Sequence, residues 1–131
     1  MAMRFTKFSP KLHQAKAAHN RQFAAAVATL ENGYQDWQTI ALFYAAVHLV
    51  QGYFVAATSI YPQNHQDRDE AILNDPHLRP IYKQYRELKE AALNSRYLCL
   101  PVNDFDVSNA QKNLSALQVH LDGLLAPPAK V

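Results

Sequence analysis

The chain has 131 residues, a length that suits one domain with enough buried surface for a hydrophobic core. Its single cysteine, Cys99, excludes an internal disulfide, and no Cys/His grouping has the spacing of a zinc site. The three glycines are too few for a fold of many short strands. The net charge is +2 and is unevenly placed, because five basic residues precede Glu31, the first acidic residue. The N-terminus lacks an apolar stretch of signal-peptide length, so we expect a cytoplasmic protein.

The first helix is expected to begin at Pro10, with Ser9 as its N-cap, and to end near Glu31, before Asn32 and Gly33. One face of this helix is apolar at helical spacing. That face comprises Leu12, His19, Phe23, Ala26, Val27 and Leu30. We expect a single domain over residues 1–131, with flexible ends at residues 1–9 and 126–131.

The second helix is expected to follow Asp36 as its cap and to end at Ala57, with apolar side chains around nearly its whole circumference. Its polar side chains share one stripe, formed by Tyr44, His48 and Gln51. This stripe interrupts the apolar run, and no basic residue flanks it, so a membrane-spanning role is disfavoured.

A helix that is apolar on all sides needs cover on all sides, and a four-helix monomer normally covers one broad face of each helix. We therefore expect a homodimer in which one apolar face of the second helix meets its copy. The two candidate faces are Phe43, Val50 and Phe54 on one side and Leu42, Leu49 and Tyr53 on the other.

A short helix is expected between Asn64, as its cap, and Asn74. One face of it carries His65, Arg68, Asp69 and Ile72. If Ile72 anchors this helix to the core, His65 and Arg68 are turned inward with it.

The third main helix is expected from Pro80 to Cys99, and the fourth from a capping box of Ser108 and Gln111. The sequence thus predicts an all-α fold, an up-and-down bundle of four main helices with a short extra helix between the second and third. The predicted core stripes are Ile81, Tyr85, Leu88, Ala92, Ser95 and Cys99 in the third helix and Ala110, Leu114, Leu117, Leu121, Leu124 and Leu125 in the fourth.

Antiparallel packing of the second and third main helices places Arg96 near Tyr44, with His48 about one turn beyond. His65 and Arg68 join them if the short helix folds back over the bundle. Arginine binds phosphate oxygens through a planar fork of donors, and histidine transfers protons near neutral pH. These five residues are the candidates for binding a phosphodiester and for cleaving RNA without a metal or cofactor.

Each candidate has a structural alternative. His48 can be a core histidine bonded to a carbonyl or a tyrosine, and Arg68 can pair with neighbouring acidic residues at the surface. Arg96 can be a packing stem with its head in solvent. The remaining histidines, His13, His77 and His120, have no polar stripe around them and receive no role.

The basic N-terminal residues Arg4, Lys7 and Lys11, interleaved with Phe5 and Phe8, are weaker candidates for contact with a nucleic-acid backbone. The basic positions of the first helix scatter around it without forming a stripe, so a solvated face is the alternative.

Three segments, ALFYAAVHLVQGYF, NHQDRDEAI and SRYLC, lie within residues 34–125. Together they resemble the HEPN superfamily of small helical-bundle domains, in particular bacterial members of unassigned function. The resemblance implies a dimeric cytosolic α-bundle associated with nucleotide or RNA chemistry, often in toxin, defence or RNA-processing systems. Ribonuclease members carry an arginine shortly before a histidine near the last helix. Arg68 and His77 are too far apart for that motif, and no arginine precedes His120 at its spacing, so the motif is absent.

Two hypotheses follow. The first is a HEPN-like domain that binds a nucleotide or RNA, with metal-independent ribonuclease activity as its extension. The second is a non-catalytic helical dimer that acts as a scaffold or neutralises a cognate partner protein, as an antitoxin does.

Overall fold

Five α-helices carry the described part of the chain in the computed structural model, which describes residues 8–97 and 101–126. The all-α class is confirmed, whereas the arrangement as an up-and-down four-helix bundle stays a prediction. A 3-10 turn, Arg79–Ile81, precedes α4. The helices are α1 (Pro10–Ala28), α2 (Gln35–Ala57), α3 (His65–Asn74), α4 (Tyr82–Tyr97) and α5 (Asp104–Leu125).

The predicted flexible ends, residues 1–9 and 126–131, lie largely outside the described ranges. Ser9 lies inside them and caps α1 as predicted, accepting a hydrogen bond from the backbone N–H of Leu12 at 3.2 Å. Cys99, predicted as a core residue at the end of the third main helix, also lies outside the described residues.

The central helix is α2, which packs against α1, α4 and α5. Both of its predicted interface faces are buried within the single chain: Phe54 and Val50 are fully buried on one face, and Leu42 and Tyr53 are buried on the other. The argument for a homodimer from these faces is therefore wrong, because three helices of the same chain surround α2. The homodimer itself stays a prediction.

By length and composition alone, α2 is the one described helix that would suit a membrane span. Of its most apolar stretch, 67% is buried inside the fold, as in the core helix of a soluble protein. This burial is consistent with a soluble protein, whereas the cytoplasmic location stays a prediction.

The predicted apolar face of α1 is wrong except at Val27. Leu12, His19 and Phe23 are exposed, whereas the buried residues include His13 and two alanines. The cause is a close approach between α1 and α2 at Gly52, where an added Cβ would lie 3.2 Å from the Cβ of His13. Helices this close accept small side chains between them and turn large ones outward.

The helix boundaries depart from prediction where capping differs. The N-cap of α2 is Tyr34, in a left-handed conformation with φ of 46°, while Asp36 lies in the first turn, where its charge suits the helix dipole. The capping box of α5 is formed by Asn103 and Asp106, so this helix begins earlier than the predicted box of Ser108 and Gln111.

The predicted core stripes of α4 and α5 are largely confirmed. Ser95 is only partly buried, and its hydroxyl is 2.6 Å from that of Thr39 on α2. This contact joins the end of α4 to the beginning of α2, as antiparallel packing requires. The buried members of the stripes are Ile81, Tyr85, Leu88, Ala92, Ala110, Leu114, Leu117 and Leu121.

Candidate functional site

A pocket of about 320 Å³ opens where α1, α2 and the first turn of α3 meet, and we call it the Arg68 pocket. The predicted cap Asn64 begins α3, and the fully buried Ile72 anchors that helix to the core. Residues on the same face as Ile72 therefore point inward, as the sequence predicts. The lining comprises His13, Tyr44, Val47, His48, Gln51, Gln63, Asn64, His65 and Arg68.

Arg68 is 5% exposed and is the arginine in the lining of the pocket. Its Nε donates to Oε1 of Gln51 at 3.0 Å, and its Nη1 is 3.2 Å from Nδ1 of His65. Gln51 is itself fixed, because its Nε2 donates to the carbonyl of Pro62 at 3.1 Å. The neighbouring carboxylate of Asp69 pairs with Lys89 instead.

Arg68 is thus a buried positive charge with no carboxylate in ion-pair contact among the described residues. A buried charge of this kind costs several kcal/mol unless other groups compensate it. The alternative that Arg68 pairs with acidic neighbours at the surface is therefore wrong.

The hydroxyl of Tyr85 also faces Arg68 from α4. Burial raises the pKa of Tyr85 to about 12, against the opposing effect of the nearby guanidinium. The phenol is therefore neutral at physiological pH and does not neutralise Arg68.

Two histidines meet across the interface between α1 and α2. Nδ1 of His13 lies 3.1 Å from Nδ1 of His48, with ring centroids 5.3 Å apart. Burial, then the neighbouring charges of His13, Lys16 and Arg68, lower the pKa of His48 to about 4. Burial followed by Arg68 also lowers the pKa of His13. Both rings are neutral at pH 7, so one Nδ1 carries the shared proton.

The shared proton is better placed on His13. Nε2 of His13 is buried without a hydrogen-bond partner, and a buried N–H with no acceptor costs more than an unused lone pair. With Nδ1–H on His13 donating to Nδ1 of His48, the proton of His48 lies on Nε2. His48 is then a hydrogen-bond donor through its second nitrogen.

His65 has a similar role. Its Nδ1 faces a guanidinium N–H of Arg68 and therefore accepts, which leaves the ring proton on Nε2. Burial, followed by the charge of Arg68, lowers the pKa of His65, so this ring is also neutral near pH 7.

Arg96 joins the site at its rim. Its Nη1 donates to the hydroxyl of Tyr44 at 3.1 Å, as the predicted levels of the two helices require, and its guanidinium lies 5.1 Å from the ring centre of Tyr97. The side chain of Arg96 is exposed, as expected if its guanidinium lies in solvent. Its contacts with Tyr44 and Tyr97 go beyond that structural alternative.

Four of the five predicted candidates, Tyr44, His48, His65 and Arg68, thus line one pocket, and Arg96 contacts it through the hydroxyl of Tyr44. Of the weaker basic candidates, Arg4 and Lys7 lie outside the described residues, and Lys11 is exposed and does not line the pocket.

Sequence reasoning missed His13 and Lys16. His13 shares helical spacing with Ala17, Ala24 and Val27, and recognising this small-residue stripe as the buried face would have found it. Lys16 is one of the basic residues before Glu31 and has no motif around it, yet its charge acts on His48.

The chemical character of the Arg68 pocket follows from its lining. It contains donors from arginine, histidine, tyrosine and amide side chains and no carboxylate, so it suits an anion. Among the described residues, no group of three or more His, Cys, Asp or Glu side chains could hold a metal ion. A second cavity, of about 360 Å³, is lined by Glu87, Glu90 and Asp106 and has no basic lining residue, which makes it unsuited to phosphate.

Comparison with known protein families, with curated proteins and with solved structures finds no match for this chain. The resemblance to the HEPN superfamily therefore stays a prediction.

Proposed function

We propose that this protein binds a phosphate group of a nucleotide or of RNA in the Arg68 pocket. The observation that carries the proposal is the buried guanidinium of Arg68, which has neutral hydrogen-bond partners and no carboxylate in ion-pair contact among the described residues. A phosphate would supply the missing negative charge and accept several hydrogen bonds from the fork of the guanidinium.

The surrounding groups favour the same ligand. His48 and His65 each offer an Nε2–H donor, and the first turn of α3 adds the positive end of a helix dipole. A bound phosphate would raise the depressed pKa values of these histidines, because an adjacent negative charge favours the protonated ring. Binding is therefore coupled to proton uptake below neutral pH.

Metal-independent cleavage of RNA is the extension of this proposal. Its minimal requirements are a base that removes the proton of a 2′-hydroxyl and cations that stabilise the transition state. With a pKa of about 4, His48 is a weak base at pH 7 in the empty pocket. The site thus favours binding over catalysis, unless the bound phosphate raises that pKa.

The second candidate function is the non-catalytic homodimer or partner-binding scaffold. It is favoured by exposed apolar side chains at the junction of α1 and α2, where Leu30, Tyr34 and Trp37 are each about half exposed. In either case the proposal includes a cytoplasmic protein with the helices arranged as an up-and-down bundle.

Isothermal titration calorimetry tests the first proposal directly. Wild-type protein at pH 6 is titrated with AMP, ADP and a short single-stranded RNA, in two buffers with different ionisation enthalpies. We expect binding with net proton uptake. Arg68→Met, which keeps most of the side-chain volume, should weaken binding by about 10- to 100-fold, since hydrogen bonds to a charged group contribute about 1.5–3 kcal/mol.

The matched control is Arg86→Met, which removes an exposed arginine from α4 and should leave affinity unchanged. Circular dichroism is used to check that Arg68→Met folds. If it does not, His48→Asn tests the same pocket independently. The proposal fails if wild-type protein binds none of these ligands, or if Arg68→Met and His48→Asn both bind as wild type does.

A further inference from the structure

A third cavity, of about 290 Å³, lies beside the Arg68 pocket along the junction of α1 and α2. We call it the aromatic groove. The two spaces share Tyr44 and His48 in their linings, so they lie side by side along α2. The groove is lined by Lys16, Asn20, Phe23, Trp37, Ile40, Ala41, Tyr44 and His48.

Two large aromatic rings flank the groove. Phe23 on α1 is 48% exposed and Trp37 on α2 is 53% exposed. Within the described residues, neither ring contacts another aromatic ring. Exposed aromatic faces beside a positively charged groove are the arrangement on which proteins stack the bases of single-stranded nucleic acids.

Three cations follow the same path. Arg68 lies in the pocket, Arg96 donates to the hydroxyl of Tyr44, which lines both spaces, and Lys16 lines the groove. No carboxylate lines either space in the described part of the chain. The phosphates of a bound strand would thus meet three positive charges, and the rings of Phe23 and Trp37 would flank the strand in the groove.

The length of the path decides between a free nucleotide and a strand. Eleven residues of α2 separate His48 from Trp37, which at 1.5 Å per residue is about 16 Å. Stacked nucleotides advance about 3.4 Å each along a strand. A mononucleotide with its phosphate at Arg68 therefore falls short of Trp37, whereas a strand of several nucleotides reaches it.

We propose that the aromatic groove and the Arg68 pocket form one binding track for a single-stranded oligonucleotide, with a phosphate at Arg68 and a base stacked on Trp37 and Phe23. This inference rests on the proposed phosphate binding and narrows its ligand from nucleotides in general to a strand. Either RNA or DNA presents the required bases and phosphates, and the experiment compares the two.

Trp37 is the only tryptophan of the chain, so tryptophan fluorescence reports on the surroundings of this one ring. Wild-type protein is titrated with AMP, with a short oligoribonucleotide and with an oligodeoxynucleotide of the same sequence. We expect both strands to quench the fluorescence of Trp37, and the natural ligand to be the strand that binds more tightly. AMP should not quench this fluorescence at concentrations that saturate the pocket in calorimetry.

Variants then locate the contact by anisotropy of a fluorescein-labelled strand. Trp37→Ala and Phe23→Ala should each weaken strand binding by about 5- to 100-fold, the range for loss of one stacked base, and leave AMP binding unchanged. Phe105→Ala, which removes an aromatic ring that is 75% exposed on α5, is the matched control and should not change strand binding. Both groove residues are half exposed, so these variants should fold.

The outcomes separate the two proposals. If AMP binds through Arg68 but strands bind no tighter and leave Trp37 unquenched, the track is overturned and phosphate binding stands. If neither AMP nor strands bind, both fall. If light scattering shows a dimer that Trp37→Ala dissociates, the groove is an interface between two copies and the track is again overturned.

Discussion

The strongest quantitative consequence of the site concerns pH and His48. Its folded-state pKa is about 4, against 6.5 for an exposed histidine. Between these values the unfolded chain binds a proton that the folded protein does not, so folding stability falls as pH is lowered from about 6.5 towards 4. Above pH 6.5 both states are neutral at this position, and the contribution vanishes.

The magnitude can be worked for a change from pH 7 to pH 5, where most carboxylates are still ionised. A pKa difference that acts over about 1.5 pH units, at 1.36 kcal/mol per unit, amounts to about 2 kcal/mol. His48 is partly exposed, so solvent screening reduces the expected loss to about 1 kcal/mol. His13 and His65 shift in the same direction and add to the wild-type loss.

The assay is urea unfolding followed by circular dichroism at pH 7 and pH 5. His48→Gln should reduce the loss of unfolding free energy between these pH values by about 1 kcal/mol relative to wild type. His19→Gln, an exposed histidine on α1, is the control and should keep the wild-type pH dependence. Equal losses in wild type and His48→Gln would refute the argument that burial keeps His48 neutral.

Two further predictions concern packing. Gly123→Ala on α5 should raise the unfolding free energy by about 0.5–1 kcal/mol, since helix propensity improves and no atom of the defined surroundings lies within 4 Å of the new Cβ. Gly52→Ala should raise it less, because the new Cβ would lie 3.2 Å from the Cβ of His13. Chemical denaturation measures both, and an equal gain would contradict the close approach of α1 to α2. Leu114→Ala should lower the unfolding free energy by about 2–5 kcal/mol, because Leu114 is fully buried in the core, and a loss below 1 kcal/mol in the same measurement would show that this position is not part of a packed core.

The all-α class and the positions of α2, α3 and α4 were predictable because their signals are local. The cap Asn64 and the anchor Ile72 are enough to place His65 and Arg68 inward, and rise per residue is enough to bring Arg96 to Tyr44.

The missed features depend on distances between helices, which no local pattern encodes. Hydrophobicity favoured Leu12 and Phe23 as the buried face of α1, but the narrow gap at Gly52 selects the side with alanines and His13. His13, the partner of His48, was therefore missed because the wrong face of α1 was predicted to be buried. The inference of a dimer from the apolar faces of α2 went wrong for the same reason, because the cover that three helices give α2 is a property of the whole fold.

The small contact face of α1 has a consequence for how the molecule opens. Of the 19 residues in α1, those buried are His13, Ala17, Ala24 and Val27, which remove little apolar surface from water. Beyond α2, a side-chain hydrogen bond from Arg21 to Gln118 connects this helix to α5. Because these buried side chains are small, we expect α1 to separate from the core before the remaining helices unfold.

Because α1 also carries Lys16 and Phe23, such a separation would dismantle the aromatic groove and release His48 while α2, α4 and α5 stay folded. A ligand in the groove would in turn clamp α1 onto α2, since it binds the closed form alone. Opening of α1 and ligand binding in the aromatic groove are then coupled equilibria. Slower amide hydrogen exchange in α1 would therefore indicate that the groove is occupied.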